Sequence, residues 1–323
     1  MAYDIIGDIH GYADKLTSLL RKLGYRSRSG VWRHPEGERQ AVFLGDFIDR
    51  GPQQLETLGI VRRMIDEGSA QAVMGNHEFN AVAWHSPDPL NPGDFLRSHK
   101  LKKNMDQHRA FLKEVGRDTN LHRELVDWFL TLPLWLDFPE LRVVHACWHQ
   151  PYMDYLRTSL SSGLQLDSEF VEAASRKDAE NDSRESGGEL SIYNAVDVIL
   201  KGLEYPLPGG MSFSDKGGLS RIRSRIRWWD RSAEDLPSAF IGIPEDVLKT
   251  IPSEPLPEDL LIPFISRKDS RPVFFGHYWL SGTPSIQSEN AVCLDYSVAL
   301  GGCLAAYRWD GESRLDSGKL VWV

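Results

Sequence analysis

The sequence predicts an α/β fold in which layered, central β-sheets are flanked by helices and carry a cap-like insertion. Three observations support this prediction. Short aliphatic runs alternate with helical patterns near the N-terminus, similar runs return near the C-terminus, and the stretch between them is irregular. Alternating strands and helices are typical of α/β layered domains. We expect residues 1–323 to form a single domain, with an insertion or cap at about residues 150–270.

Six short apolar runs have the length and composition of buried strands, and each stops at small or polar residues. The runs are Tyr3 to Ile6, Ala41 to Leu44, Ala70 to Met74, Leu141 to Val144, Val273 to Phe275 and Ala291 to Leu294.

Two helices are predicted between the first three runs. The first rests on an i, i+3, i+4, i+7 pattern of leucines that Gly24 closes, and the second has Pro52 in its first turn and Gly68 at its end. The apolar positions are Leu16, Leu19, Leu20 and Leu23 in the first helix, and Leu55, Leu58, Val61 and Ile65 in the second.

The regular pattern fails between about residues 150 and 270. Leu156 to Gly188 is rich in Ser, Asp, Glu and Arg, and Pro252 to Pro263 is dense in proline. Such a segment is either solvated surface or a lid that shapes a substrate site, and the composition leaves both interpretations open.

Composition and charge exclude several classes of protein. Lys and Arg number 37 against 46 Asp and Glu, so the net charge of −9 disfavours binding to duplex nucleic acid. No apolar run approaches the roughly 18 residues of a membrane span, and no signal-peptide pattern is present. The three cysteines form neither a CxxC pair nor an even set. We therefore expect a cytoplasmic protein that does not bind membranes.

Polar side chains follow five of the predicted strands at the same relative position. Loops at the carboxyl ends of strands are where α/β folds build their sites. Each loop alone has an ordinary explanation, such as turn chemistry or a structural histidine. Asp and Asn oxygens mixed with His nitrogens suit a pair of divalent transition ions, and five coincident positions favour that interpretation. The segments are Gly7-Asp8-Ile9-His10-Gly11, Gly45-Asp46-Phe47-Ile48-Asp49-Arg50-Gly51, Gly75-Asn76-His77-Glu78, Val144-His145-Ala146 and Phe275-Gly276-His277.

These motifs, in this order, resemble the signature of the calcineurin-like metallophosphoesterases. The Asp-Arg-Gly extension at residues 49–51 is similar to the branch that contains serine/threonine phosphoprotein phosphatases and symmetrical dinucleoside tetraphosphatases. The resemblance covers roughly residues 4–150 and 270–308. It implies a layered metallophosphoesterase fold and a hydrolase of phosphoester or phosphoanhydride bonds.

The resemblance also implies a set of ligands for two divalent metal ions. Mn²⁺ is the expected metal, and Fe, Zn, Co and Ni accept the same ligands. Two such ions lower the pKa of a shared water, so that hydroxide can attack phosphorus at neutral pH. One metal would be held by Asp8, His10 and Asp46, and the other by Asp46, Asn76, His145 and His277, with Asp46 bridging them.

Three further residues receive roles from the same resemblance. His77 would protonate the leaving oxygen as the general acid, and Asp49 would accept its other N–H and fix its tautomer. Arg50 would bind two phosphate oxygens with its planar guanidinium group. These are the expected catalytic residues.

An unusual basic segment, Arg221 to Asp230, lies inside the insertion. Its arginines recur with a period of two, which places them on one side of an extended segment. One interpretation is an edge strand protected by charge, or a set of internal ion pairs. The other is a second phosphate clamp with an indole that stacks on a base. On that interpretation the substrate-binding residues are Arg225, Arg227 and Trp228, together with Arg50.

The function expected from these features is that of a dinuclear metal-dependent phosphohydrolase. Its expected substrate is a small phosphorylated nucleotide, a dinucleoside polyphosphate such as diadenosine tetraphosphate, and the family resemblance implies symmetrical cleavage to two ADP. The alternative is a serine/threonine or dual-specificity phosphoprotein phosphatase. A more remote alternative is a catalytically silent binding protein on the same fold.

Overall fold

The computed structural model describes residues 1–159, 166–176, 190–214, 218–257, 260 and 271–323. Parts of the predicted Ser-rich and Pro-rich stretches lie outside these described residues. The strands are β1 Ala2–Ile6, β2 Arg26–Arg28, β3 Val31–Arg33, β4 Arg39–Phe43, β5 Ala70–Ala72, β6 Trp135–Asp137, β7 Arg142–Val144, β8 Glu204–Pro206, β9 Phe213–Ser214, β10 Ser220–Arg221, β11 Arg223–Ile226, β12 Phe240–Ile241, β13 Val273–Phe275, β14 Ala291–Cys293, β15 Asp295–Tyr296, β16 Cys303–Trp309 and β17 Leu320–Trp322. The helices are α1 Ala13–Lys22, α2 Gln54–Asp66, α3 Asn76–His85, α4 Lys102–Val115, α5 Asn120–Phe129, α6 Gln150–Ser159, α7 Ser168–Ser175, α8 Ile192–Lys201, α9 Leu236–Ala239 and α10 Glu245–Leu248.

Two central sheets form the core. The first has the order β15-β16-β1-β4-β5, with β17 also paired to β16, and the second has the order β14-β13-β7-β6. β1, β4 and β5 run parallel, as do β7, β13 and β14, while β16 and β6 add antiparallel neighbours. The predicted α/β layered fold with central sheets is confirmed.

Side-chain alternation along the strands explains how the two sheets pack. In β4, Val42 points into a cluster that also contains Val143 and Phe274 of the second sheet. Phe43, one residue later, points to the opposite face and packs with α1 residues such as Leu16. Successive strand residues face opposite sides, so these strands are covered on both faces and read as continuous apolar runs.

The first two helices form where the leucine and glycine pattern predicts them. α1 buries Leu16, Leu19 and Leu20, and Gly24 follows with a φ of +91°, a left-handed conformation that glycine adopts without a Cβ clash. α2 differs from the prediction at its start. Pro52 lies before the N-cap residue Gln53 and not in the first turn.

The described part of the insertion contributes to the same hydrophobic core. Ile199 of α8 and Ile226 of β11 belong to the cluster that holds Val144 and Phe275 of the second sheet. Strands β12, β11 and β8 form a small sheet of their own in that order. No helix within the described ranges is long and apolar enough to cross a membrane.

Candidate dinuclear metal centre

The five polar loops of the two sheets meet at one place. Asp8 and His10 follow β1, Asp46 follows β4, and Asn76 opens α3 after β5. From the second sheet, His145 comes directly after β7, and His277 follows β13 with Gly276 between them. The parallel strands that precede these loops explain why they converge, since the carboxyl ends of such strands lie at one edge of a sheet.

Asp46 belongs to two groups of side chains that could each hold a cation. Its ligand atoms lie within 4.8 Å of those of His10 and His77 in one group, and of His145 and His277 in the other. Oδ2 of Asp46 lies 3.7 Å from Nε2 of His10, whereas Oδ1 lies 3.5 Å from Nε2 of His145. The two carboxylate oxygens therefore face different groups, an arrangement that would suit a ligand shared by two cations.

The hydrogen bonds of two histidines fit metal ligation. Nδ1 of His10 lies 3.0 Å from the Ile48 carbonyl oxygen, and Nδ1 of His145 lies 2.7 Å from that of Leu44. A carbonyl can only accept, so each Nδ1 carries the hydrogen, and the lone pair on Nε2 is turned toward the carboxylates. Backbone carbonyls commonly fix metal-binding histidines in this way.

Two buried polar atoms at the centre have no hydrogen-bond partner among the described residues. They are Oδ1 of Asp8 and Nε2 of His277. An unpaired buried polar atom costs roughly 1–3 kcal/mol, and a cation would remove that cost. The amide oxygen of Asn76 lies 2.7 Å from Nδ1 of His277 and 3.1 Å from Nε2 of His145. The carboxylate, amide and imidazole atoms present could therefore coordinate a pair of divalent cations.

Without bound cations, the carboxylates at the centre shift the pKa values of neighbouring groups. Burial raises the pKa of Asp8 well above its usual value, and the neighbouring Asp295 carboxylate raises it further. Burial lowers the pKa of His145, but the carboxylates of Asp46 and Asp8 outweigh it and raise that pKa to about 10. A proton on His145 and a metal cation thus compete for the same negative charge.

The backbone is strained at several of these residues. Positive φ angles occur at His10 (49°), Asp46 (52°), Asp49 (68°), Arg50 (69°) and His277 (74°). Non-glycine residues rarely adopt this left-handed region, and such strain concentrates at functional sites. Two glycines of the same motifs, Gly11 (70°) and Gly45 (90°), adopt this region beside them. Gly276 serves close packing, because a Cβ there would overlap the Asp8 carboxylate.

The Asp49 carboxylate contacts two histidines. Oδ2 lies 2.6 Å from Nδ1 of His77, the contact that the predicted acid and its partner require. Oδ1 lies 2.9 Å from Nδ1 of His108 on α4, which the sequence analysis did not single out. The adjacent Gln107 places its amide nitrogen 3.3 Å from Nε2 of His77. Neither α4 residue lies in a recognisable motif, so only tertiary packing reveals them.

Glu78 supports the loop that carries Asp46. Its buried carboxylate accepts hydrogen bonds from the backbone N–H groups of Gly75 (3.0 Å), Asp46 (2.8 Å) and Phe47 (2.8 Å). Burial and the nearby Asp46 carboxylate raise the pKa of Glu78 to about 7. The Gly-Asn-His-Glu motif contained this residue, but its pattern gave no role for it.

A cleft of about 1980 Å³ opens over the centre. Asn76, His77 and His277 line it, and basic side chains outnumber acidic ones along its walls. Arg50 also lines the cleft, and its guanidinium group stacks 4.2 Å from the ring centroid of Trp279. The predicted phosphate-binding arginine is therefore exposed at the mouth of the centre.

Arg225 and Arg227 of the insertion line the same cleft. Arg225 also acts on the centre electrostatically, since burial and then its positive charge lower the pKa of His277. Arg223 lies on the same strand but is not among the lining residues, and its guanidinium donates to the Glu204 carbonyl oxygen. The edge-strand interpretation is wrong for β11, which is the central strand between β12 and β8, whereas Arg221 lies on β10 of a two-stranded sheet.

Trp228 does not occupy the position that was predicted for it. Its indole is 0% exposed, and Nε1 donates to the carbonyl oxygen of Ala146 over 3.0 Å. The ring packs against Phe275 beneath the second sheet, so it cannot stack on a base. The neighbouring Trp229 is among the residues that line the cleft, although it is also buried and packs against Phe275.

The chain resembles bacterial tetraphosphatases over two different lengths. Over 150 residues it is 35% identical to an asymmetrical bis(5'-nucleosyl)-tetraphosphatase of Bacillus subtilis, which covers 45% of this chain and 57% of that relative. The matching region thus spans little more than half of that protein. Over 325 residues it is 26% identical to a symmetrical bis(5'-nucleosyl)-tetraphosphatase of Vibrio campbellii, with 97% of each chain covered.

A solved structure aligns with nearly the whole chain, and a protein family matches its N-terminal part. A cold-active protein-tyrosine phosphatase of a psychrophilic Shewanella aligns with a TM-score of 0.48 and 17% identity, covering 98% of this chain and 80% of that one. Residues 1–152 match the family described as calcineurin-like phosphoesterase. This segment contains Asp8, His10, Asp46, Asn76 and His145. Four of the five motifs that carry the resemblance lie within this match.

Proposed function

We propose that the protein is a dinuclear metal-dependent phosphohydrolase that cleaves dinucleoside polyphosphates such as diadenosine tetraphosphate. One observation carries the proposal. Two ligand groups that share Asp46 lie beneath a cleft whose walls hold Arg50, Arg225 and Arg227. The tetraphosphatase names of the relatives agree with it.

The metal ligands in this proposal fall into two sets that share Asp46. When bound, two divalent ions would polarise phosphoryl oxygens and make hydroxide available at neutral pH. Mn²⁺ is the proposed metal, and Fe, Zn, Co and Ni suit the same donors. One set is Asp8, His10 and Asp46, and the other is Asp46, Asn76, His145 and His277.

The side chains around the centre would bind phosphate and move a proton. Arg50, fixed against Trp279, would bind two phosphate oxygens. His77, with Nδ1 held by Asp49, keeps Nε2 toward the centre at 3.9 Å from Oδ2 of Asp46, where it could protonate a leaving oxygen. Asp49 would fix the tautomer and the orientation of that imidazole.

The insertion would select the substrate. A tetraphosphate spreads several negative charges along a chain, and Arg225 and Arg227 extend the positive charge of the cleft beyond the two cations. A phosphoprotein presents a single phosphate group, which the centre and Arg50 could neutralise without them. We propose on this ground that the described part of residues 150–270 acts as a cap that forms one wall of the cleft.

The cap would also determine which phosphoanhydride bond of the tetraphosphate is cleaved. The relative that aligns through the insertion is named symmetrical, whereas the one that aligns over 45% of this chain is named asymmetrical. We therefore expect symmetrical cleavage, with two ADP as products.

We also propose a cytoplasmic location, because Cys147 and Cys293 are buried free thiols.

A substrate panel tests this proposal. The Mn²⁺-loaded protein would be assayed with diadenosine tetraphosphate, phosphopeptides and p-nitrophenyl phosphate, and the nucleotide products would be separated by chromatography. We expect the highest kcat/KM for the dinucleotide and ADP as its only product. A kcat/KM for phosphopeptides above that for every dinucleotide would replace the proposal with a phosphoprotein phosphatase. If the products were ATP and AMP, only the proposal of symmetrical cleavage would be overturned.

A further inference from the structure

We propose that His108 is a positioning residue that holds the Asp49 carboxylate and, through it, the imidazole of His77. The inference rests on the proposed function, in which His77 is the proton donor. It starts from the two contacts of Asp49, 2.6 Å to Nδ1 of His77 and 2.9 Å to Nδ1 of His108. Asp49 and His108 are both buried, at 1% and 3% exposure.

The hydrogen bonds define the tautomer of His108. An ionised carboxylate can only accept, so Nδ1 of His108 carries the hydrogen and donates it to Asp49. Nε2 of His108 is buried and has no hydrogen-bond partner among the described residues. A hydrogen on Nε2 would therefore be an unpaired buried donor, which is costly. Among the described residues, the hydrogen bond to Asp49 is thus the one that the His108 imidazole makes.

Aromatic packing prevents the ring from turning away. The centroid of the His108 ring lies 4.8 Å from that of Phe111, 5.6 Å from that of Trp84 and 6.5 Å from that of His122. Side chains in such packed surroundings stay in one rotamer. The donor is therefore presented to Asp49 by a rigid element and not by a mobile loop.

Helix α4 also holds the backbone of Asp49. The Asp49 N–H donates to Oε1 of Gln54 over 2.7 Å, and the Gln54 N–H donates to Glu114 of α4 over 3.0 Å. His108 and Glu114 thus connect the side chain and the backbone of Asp49 to the same helix. This support matters because Asp49 has a φ of +68°, which the chain alone would not maintain.

Sharing the carboxylate between two donors has a consequence for His77. Without His108, Oδ1 of Asp49 would lose its donor, and the carboxylate could rotate about its Cβ–Cγ bond. The imidazole of His77 would then lose its fixed orientation toward the leaving oxygen. Because His108 touches neither substrate nor metal ligands in this arrangement, its removal should slow proton donation and leave substrate binding unchanged.

The test compares His108→Phe, which removes the donor, with His108→Asn, which keeps one near Nδ1. Activity would be measured on phenyl phosphate, whose leaving group needs a proton, and on p-nitrophenyl phosphate, whose leaving group does not. We expect His108→Phe to lower kcat on phenyl phosphate about 10–100-fold, a part of the 10²–10⁴-fold that a general acid contributes. KM, the rate on p-nitrophenyl phosphate and the kcat of His108→Asn should change little.

A double variant separates positioning from loss of packing. In a His77→Ala background, His108→Phe should cause no further loss on phenyl phosphate, because both changes remove the same step. The matched control is His122→Phe, which removes a neighbouring buried imidazole that does not contact Asp49. Equal losses for both substrates, or a full additional loss in the His77→Ala background, would overturn the inference. If His108→Phe does not fold, His108→Leu replaces it in the same comparisons.

Failure of the proposed function has a different signature. A wild-type protein inactive on both aryl phosphates and on diadenosine tetraphosphate would contradict the phosphohydrolase proposal alone. The positioning inference is then decided by ¹⁵N NMR of the histidine rings. We expect the neutral form of His77 to be a single Nδ1–H tautomer in the wild type, with the additional proton of the acid form on Nε2, and to be a mixture of tautomers in His108→Phe. An unchanged tautomer in the variant would overturn the inference whether or not the protein hydrolyses any substrate.

Discussion

His77 is the residue whose surroundings allow two chemical roles. Its Nε2 lies 3.9 Å from Oδ2 of Asp46, close enough to complete a metal group with His10. Its Nδ1 is bound to Asp49, as a positioned general acid requires. The two roles differ in one measurable property, which is whether the protein keeps its metals when the imidazole is removed.

We predict that His77→Ala retains both metals and loses activity. Hydrolysis of substrates with poor leaving groups should slow by about 10²–10⁴-fold, and that of p-nitrophenyl phosphate should slow less. Metal content by mass spectrometry and kcat for both substrates provide the measurement. His34→Ala, which removes a histidine that contacts Glu36 and not the centre, serves as the control. Loss of one metal equivalent in His77→Ala would make this residue a ligand.

At the residue scale, the sequence predicted site residues where motifs exist and gave no signal where tertiary packing decides. Asp46 and His77 lie in short motifs, and the structure brings both to the centre, where their roles stay predictions. His108 carries no local signal, because its partner Asp49 is 59 residues away in the chain. The sequence also could not decide which of Trp228 and Trp229 lines the cleft, since their adjacency fits either arrangement.

At the scale of elements, the first turn of α3 connects to the loop after β4. The Glu78 carboxylate accepts backbone hydrogen bonds from both segments. Asp46, at the start of that loop, has a φ of +52°, so the loop depends on these bonds to keep its shape.

We predict that Glu78→Gln destabilises the protein although it preserves the shape of the side chain. The amide NH₂ would replace an acceptor oxygen and face backbone N–H donors, so buried donors would lose their partner. The free energy of unfolding in denaturant should fall by about 1–3 kcal/mol. Glu169→Gln, at an exposed position of α7, should leave it unchanged within about 0.5 kcal/mol. Equal stability of the two variants would contradict this account of the loop.

The small sheet of the insertion places two arginines at the cleft. β11 presents Arg225 toward the cleft, with Nε bound to the Lys201 carbonyl oxygen over 2.7 Å, and Arg227 follows the strand. The backbone N–H of Arg227 donates to the Ala239 carbonyl oxygen over 2.8 Å, so both arginines are held in place.

We predict that the double change Arg225→Ala and Arg227→Ala raises KM for diadenosine tetraphosphate far more than for p-nitrophenyl phosphate. The longer substrate has phosphates beyond the reach of Arg50, and these lose their positive partners. Arg26→Ala with Arg28→Ala, two exposed positions of β2, removes the same charge away from the cleft. An equal rise of KM for both substrates would show that these arginines act through general charge and not as a clamp.

Periodicity predicted some elements and missed others for a physical reason. α1 and α2 have clear apolar stripes, so their positions were predictable. α4 has its buried positions at Asn104, His108, Phe111 and Val115, and two of these are polar, which hides the pattern. β16 and β17 close the first sheet through antiparallel pairing across the chain, which no local pattern reports.

At the scale of the whole molecule, two sheets bring five loops from distant parts of the sequence to one centre. Residues 8–10 and 277 are close in space because β1 and β13 belong to facing sheets that share the cluster of Val42, Val143 and Phe274. The net charge of −9 contrasts with the basic walls of the cleft. That contrast favours small anionic substrates over acidic macromolecules.

The most direct test of the central claim is the rate of diadenosine tetraphosphate hydrolysis before and after removal of metal. We predict that chelation abolishes turnover and that Mn²⁺ restores it in the wild type. Asp46→Asn should not recover, because both ligand groups depend on that carboxylate. Full activity of the metal-free protein, or full recovery of Asp46→Asn on addition of Mn²⁺, would contradict the account.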